Sequence, residues 1–222
     1  MDTIMNYITS LPGYFVTSLG IMLGMAIVLF IAGKRVEQLN PRSKPSKVMT
    51  VFVGFVKFFN QFMKGYVGKQ AVWLTPMVMT LAIYVFISNV SGMFALDSPT
   101  KYTSITFSLS IFAFLIIQIT GIISSKWKHF LSVFQPIPFL MPLNVIGEVT
   151  PIISIALRLF GNIISGAVFI VMIYRFTGWF SVVVAPAFHL IFDVGFGLIQ
   201  ALVYVLLTVI FTSSKIDEKD FI

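Results

Sequence analysis

The chain contains no cysteine, which excludes a disulfide framework, a thiolate metal site and a thiol nucleophile, and no redox chemistry is expected. Charge is almost as scarce. Only 10% of the 222 residues are Asp, Glu, Lys or Arg, against roughly one quarter in a soluble domain. No paired-histidine zinc motif, no Gly-rich phosphate loop ending in Lys-Ser/Thr and no Gly-x-Ser-x-Gly elbow occurs, so neither a resident metal nor nucleotide binding or hydrolysis is expected of this chain. Nothing else in the sequence asks for a cofactor. Internal repeats and low-complexity segments are absent too.

What remains is apolar. Hydrophobic residues make up 58% of the chain and the mean hydropathy is +0.97, the signature of an integral membrane protein. A net charge of +7 could point to nucleic acid, but the basic residues are not gathered on a soluble module. Eight of the fifteen lie between Lys34 and Lys69, beside and just after the first apolar run, where the positive-inside bias places cytoplasmic segments. The charge therefore reports topology and no nucleic-acid partner is expected.

The uncharged run 14–33, closed by Lys34 and Arg35, is long enough to cross about 30 Å of hydrocarbon as a helix. Its start lacks a basic n-region, so it is read as a retained span with the N-terminus outside. Two prolines and four charges make Val36–Lys47 a loop. From Val48 to Val67, Lys57, Asn60, Gln61 and Lys64 recur at helical spacing opposite a phenylalanine-rich side, the pattern of a helix lying in the membrane interface. Residues 72–96 and 104–124 are two further spans, separated by Asp97-Ser-Pro-Thr-Lys101 and followed by the basic stretch Ser124–His129. A proline-rich entry at Gln135–Asn144 opens a long apolar region reaching Tyr174 and Arg175, and after a turn near Gly178 or Trp179 a last apolar helix runs to about 212.

The predicted architecture is a single all-α integral membrane domain over 1–222, with five transmembrane helices and one interfacial amphipathic helix. Its parts are a first span in 1–35, the interfacial helix in 48–68, two spans in 72–124, a long hairpin over 137–212 and a cytoplasmic tail from 213 to 222.

Once loops and tail are set aside, Glu148, Arg158 and Asp193 remain as charges at membrane depth, with His189 as a fourth titratable group. All four belong to the final hairpin. An arginine cannot discard its charge, and at the centre of a spanning helix it costs at least roughly 2.5 to 3.5 kcal/mol. Ionisable groups at that depth usually line ion pathways. Ser154, Asn162 and Ser165 share a stripe with Arg158, while His189, Asp193, Gly197, Gln200 and Tyr204 follow one another at steps of three or four. Antiparallel pairing about a turn near Gly178 puts Arg158 level with Gln200. At 1.5 Å per residue, Asp193 then lies about 10 Å outward and Glu148 about 15 Å inward.

Plainer readings stand beside this one. Arg158 and Asp193 can form a structural ion pair between helices, His189 can be a satisfied packing residue, and Glu148 a solvated interfacial acid. Arg158 is too far from the expected turn to snorkel to the headgroups. Lys57, Lys64 and Arg175 read as headgroup contacts. Two other kinds of protein use buried charges: a self-contained secondary transporter or channel, which should show matched halves with broken helices, and a membrane scaffold whose charges tolerate removal.

The segment Pro142-Leu-Asn-Val-Ile-Gly-Glu148, followed by Ser154-Ile-Ala-Leu-Arg-Leu-Phe-Gly-Asn-Ile-Ile-Ser-Gly166, closely resembles the signature of subunit a of F-type ATP synthases, in its bacterial wording. Ser88-Asn-Val-Ser-Gly-Met-Phe94 with Ser98-Pro-Thr100, and Gln200-Ala-Leu-Val-Tyr-Val-Leu-Leu207, extend the likeness in order along nearly the whole chain. The resemblance implies a stator subunit in the bacterial plasma membrane, non-catalytic itself, whose long tilted hairpin lies against a rotating c-subunit ring and which meets the b subunits of a peripheral stalk. It further implies that Arg158 is the essential arginine between two half-channels, Asn162 and Gln200 its polar neighbours and Glu148 the inner-channel acid. Two positions depart: Ala167 stands where many members carry an acid or histidine, and Asp193 where many carry Glu or His. Asp193 is then expected to serve the outer path alone or with His189. Whether protons or sodium ions pass depends mainly on the ring, another chain.

Overall fold

The computed structural model describes residues 12–37, 46–94, 96–125, 139 and 141–216. The N-terminal residues 1–11, most of the expected loop 36–47, the basic stretch after Ser125, most of the proline-rich entry and the tail beyond 216 lie outside the described residues. Among the described residues all regular structure is helical. Four continuous helical runs are long and apolar enough to cross a membrane: Gly13–Glu37, Lys47–Phe94, Thr103–Ser124 and Pro186–Ser213. Integral membrane character thus carries through from composition to structure.

Helix α1, Gly13–Glu37, begins as Phe15 donates its backbone N–H to the Pro12 carbonyl at 2.9 Å and ends with Lys34 and Arg35 in its last turn, where cations favour the negative pole of the helix. Helix α2, Lys47–Val67, is capped by Ser46, whose side chain accepts from the Met49 N–H. It stops at Gly68, whose positive φ of 54° turns the chain while its N–H reaches the Lys64 carbonyl. A 3₁₀ turn, Gly68–Gln70, leads without a loop into α3, Ala71–Val90. Two short 3₁₀ turns, Ser91–Phe94 and Pro99–Lys101, connect to α4, Thr103–Ser125. Helix α5 runs from Met141 to Thr177, and the chain reverses at Gly178–Phe180, where Gly178 takes φ 50°. The return consists of α6, Ser181–His189, a π-helical segment, Leu190–Gly195, and α7, Phe196–Ser213.

That π segment differs from the regular last helix expected from the sequence. Pro186 lies inside α6 and lacks the N–H that a regular ladder needs. The Leu190 N–H is shared between the Ala187 and Pro186 carbonyls, and the backbone then widens to i→i+5 bonding through Gly195.

The bundle is held by two apolar clusters. One joins Tyr84 and Val85 of α3, Leu109 and Ala113 of α4, Ile155 of α5, and Ala201 and Tyr204 of α7, with Met25 of α1 at its margin. The second joins Met63 and Val67 of α2, Leu74 and Val78 of α3, Ile116 of α4, and Val205 and Val209 of α7. Helix α3 packs most extensively against α7, and α4 against α5. A bilayer offers no hydrophobic drive between helices, so close packing and hydrogen bonds carry the association. Two bonds between helices stand out: Tyr204 Oη donates to the Leu109 carbonyl at 3.0 Å, and Ser18 Oγ lies 2.7 Å from Tyr84 Oη.

The second contact ties α1, otherwise poorly buried, to the bundle. Tyr84→Phe is expected to lower the stability of the folded protein by about 1 kcal/mol and to loosen α1 first. Thermal melting of the purified protein in detergent, together with a cross-link between α1 and α4, reads both effects; an unchanged melt and cross-link would assign the hydroxyl no structural role.

Candidate functional site

The α3–α4 connection gathers small polar residues against the π segment. The Ser88 carbonyl accepts from Ser91 Oγ at 2.8 Å and from Ser98 Oγ at 2.6 Å. Thr100 Oγ1 donates to Asn89 Oδ1 at 2.9 Å. Ser88, Asn89, Ser91, Ser98 and Thr100 are all buried. Among the described residues, Ser88 Oγ and Asn89 Nδ2 find no hydrogen-bond partner, a state that costs roughly 1–3 kcal/mol for a buried group.

Two glycines let this cluster meet the last helix. A Cβ on Gly197 would stand 3.0 Å from the Asn89 Cβ, and one on Gly92 would stand 3.9 Å from Asp193 Oδ2 and 4.0 Å from the Ser98 Cβ. The Asp193 carboxylate therefore lies over the bare backbone of Gly92, at the edge of the hydroxyl cluster. It is half-buried, on a π turn of the kind that recurs at functional sites. Because that backbone bonds i→i+5, the step-of-four alignment of His189 with Asp193 expected from a regular helix is not kept.

Arg158 occupies the middle of α5 and is exposed. Around it Ile153, Leu157, Ile164 and Val168 of α5 are also exposed. On α7 the exposed side consists of Leu198, Ile199, Leu202 and Leu206. Ser154 is half-buried one turn before Arg158. Gln200 is 2% exposed, inside the bundle rather than on the outer side of α7. Ile155 falls in one apolar cluster with Ala201 and Tyr204. Glu148, Asn162 and His189 belong to α5 and α6 by backbone; their side chains lie outside the described residues.

Among the described residues no group of three or more His, Cys, Asp or Glu is disposed to hold a metal. The site instead offers one exposed fixed cation, on a stripe with Ser154 and the exposed Ser165 and beside exposed apolar residues, and one carboxylate next to buried hydroxyls. The π turn and the Asn89–Thr100 pairing were not anticipated; the run of small polar residues between two apolar helices was the signal available for the latter.

Residues 14–213 match the family described as ATP synthase A chain. The chain belongs to that family. Relatives spread across bacteria. "ATP synthase subunit a" of Mycoplasmoides gallisepticum is 31% identical over 239 residues, covering 95% of this chain and 80% of that protein. The protein of the same name from Moorella thermoacetica is 29% identical, covering 85% of each. That of Helicobacter pylori strain G27 is 27% identical, covering 96% of this chain and 95% of that protein. As an ATP synthase A chain the protein is a component of a membrane sector, which accords with its apolar helices.

Proposed function

We propose that this chain is the stator subunit a of an F-type ATP synthase and carries protons, or sodium ions, to and from a rotating c-subunit ring through two offset half-channels. The observation that supports the reading is the exposed Arg158 in the middle of α5, on one stripe with Ser154 and the exposed Ser165 and with exposed apolar residues beside it. The apolar residues suit a neighbouring apolar surface, and the guanidinium suits a passing carboxylate.

The end bearing the α3–α4 connection is read as the outer side and the end rich in basic residues as the cytoplasmic side, with the N-terminus outside and the C-terminus inside. Five spans then cross the bacterial plasma membrane, with α2 as the interfacial helix. Helix α5, at about 55 Å for its 37 residues, exceeds a hydrocarbon layer of about 30 Å, which supports a strong tilt for the hairpin. The b subunits of the peripheral stalk complete the stator. Neither nucleotide nor nucleic acid binds this chain, and phosphoryl chemistry belongs to other subunits.

An ion enters from outside through the hydroxyl cluster, where Ser88 Oγ and Asn89 Nδ2 suit a hydrated path, and passes Asp193. It neutralises a ring carboxylate, which can then face lipid because a neutral acid costs far less there than a charged one. After nearly a full rotation the ion leaves on the inner side near Glu148. Arg158 favours the ionised carboxylate passing it and repels a cation leaking between the two paths. Ser154, Asn162 and Gln200 hold the polar surroundings of that crossing. A potential of 100 mV biases each charge transfer by about 2.3 kcal/mol. Membership of the ATP synthase A chain family disfavours a self-contained secondary transporter.

Asp193→Asn in the reconstituted complex is expected to cut ion flux at least about tenfold, the loss of a positioned proton carrier, with Asp193→Glu restoring most of it. Flux unchanged by Asp193→Asn would overturn the outer path. His189→Ala is expected to alter the pH profile of flux; an unaltered profile would leave Asp193 as the outer acid alone.

A further inference from the structure

Helix α2 presents three different sides. At about 100° per residue, Met49, Met63 and Val67 fall on one of them, and all three are buried. Met63 and Val67 join Val205 and Val209 of α7 in one apolar cluster. About 120° around the axis lie Val48, Val51, Phe55, Phe58 and Tyr66, all exposed, Val48 by 81% and Phe58 by 70%. The third side holds Thr50, Lys57, Gln61 and Lys64, also exposed, and the helix contains no Asp or Glu to offset its lysines. Asn60 does not join them: its Oδ1 is turned to α3, where it accepts from Thr75 Oγ1 at 3.3 Å.

The polar side keeps its direction from Thr50 to Lys64, about 21 Å along the axis. It stays at one level of a bilayer only when the helix lies along the surface. Upright, the helix would carry Lys57, the central residue of Lys47–Val67, to mid-membrane, where a charge is costly. Gly68, with φ 54°, turns the chain out of α2 before α3 begins. Lying flat, α2 lowers its Phe55 side toward the acyl chains and raises two uncompensated ammonium groups among the headgroups. A helix in that posture binds more tightly to anionic than to neutral lipid, by an amount that grows with its cations.

We propose that α2 is a selective site for anionic phospholipids of the cytoplasmic leaflet, with their phosphates beside Lys57 and Lys64 and their upper acyl chains against Phe55, Phe58 and Tyr66. The proposal rests on the reading of α2 as the interfacial helix and adds the class of lipid that it takes. Because Met63 and Val67 pack with Val205 and Val209, the lipid also fixes the depth of the inner end of α7.

The test uses the intact complex in phosphatidylcholine nanodiscs that contain a minor fraction of either phosphatidylglycerol or phosphatidylcholine bearing a photoreactive group near the top of the acyl chain. Phosphatidylglycerol is expected to label Phe55, Phe58 and Tyr66 at least about fivefold more than phosphatidylcholine does, with a ratio near unity at the exposed Ile111 and Ile119 of α4. Lys57→Gln/Lys64→Gln should bring the ratio on α2 down to that reference, and Lys57→Arg/Lys64→Arg should preserve it. If the double Gln variant does not assemble, the unaltered complex gives the same reading, because salt raised from about 0.1 M to about 1 M should screen the preference away. A ratio near unity at Phe58 in the unaltered complex, a preference that survives both the Gln substitutions and high salt, or a photoreactive residue at position 58 cross-linking to a helix of another subunit overturns the proposal. None of these readouts depends on ion flux, so an Arg158 variant with normal synthesis would overturn the ion pathway and leave the lipid site standing.

Discussion

Arg158→Ala in the assembled complex is expected to abolish ion-driven ATP synthesis while leaving assembly intact. The reasoning is electrostatic. A guanidinium about 4 Å from a ring carboxylate, at the effective dielectric of a protein surface, favours the ionised form by about 4 kcal/mol, close to a thousandfold in the rate of a step that requires deprotonation. Without that charge the carboxylate passes the stator protonated and loads and unloads on either side, so the potential no longer sets a direction. Assembly should survive because the Arg158 side chain is exposed and contributes nothing to the two buried clusters. Arg158→Lys keeps a charge but loses the planar fork that holds a carboxylate at fixed geometry, and is expected to retain little synthesis. Synthesis and passive ion leak are both measured in vesicles under an imposed potential. Near-normal synthesis by the Ala variant would remove Arg158 from the mechanism; a lost complex on native gels would assign it to structure.

Much of this arrangement is legible in the residue order, and for an identifiable reason. Long uncharged runs must become helices in a bilayer, because every backbone N–H and C=O has to be satisfied within the segment. The first span and the reversal at Gly178, where φ of 50° suits glycine, follow from that rule and from the positions of Lys34, Arg35 and Gly178. Lys47–Val67 was the more ambiguous segment: its lysines mark an interface, yet the structure runs it into α3 through the 3₁₀ turn at Gly68–Gln70 without an intervening loop. Legibility failed where helix pitch changes. Hydrophobic periodicity assumes 3.6 residues per turn, and the widening at Leu190–Gly195 follows a Leu190 N–H shared between the Ala187 and Pro186 carbonyls, which a periodicity count does not register. The hydroxyl cluster was hidden for a different reason. Ser88 and Asn89 read as part of a span and Ser98 and Thr100 as the connection after it, and only the return of the chain at Pro99–Lys101 brings them together. Gln200 shows the limit of a helical wheel as well: its stripe is polar, but neighbours from other helices decide that it is buried.

Gly197→Leu is expected to be the most disruptive substitution outside the charged residues. Gly197 is buried where α7 crosses α3, and even a methyl there would stand 3.0 Å from the Asn89 Cβ and 3.9 Å from Val90 Cγ2. The first neighbour cannot yield cheaply, since a Cβ moves only with its backbone, and α3 is fixed from below by Val85 and Tyr84 in the core. Gly197→Ala is therefore expected to cost about 1–3 kcal/mol, and Leu more, by driving α3 and α7 apart. Separation of these helices also withdraws Gly92 from Asp193, so stability and ion flux should fall together. The comparison with Gly92→Ala makes the argument specific. There the added methyl meets ordinary contacts of 3.9 and 4.0 Å, so melting should be nearly unchanged while flux declines through crowding of the Asp193 carboxylate. Equal loss of melting temperature in the two variants would mean that the close crossing at Gly197 is not what joins the hydroxyl cluster to the last helix.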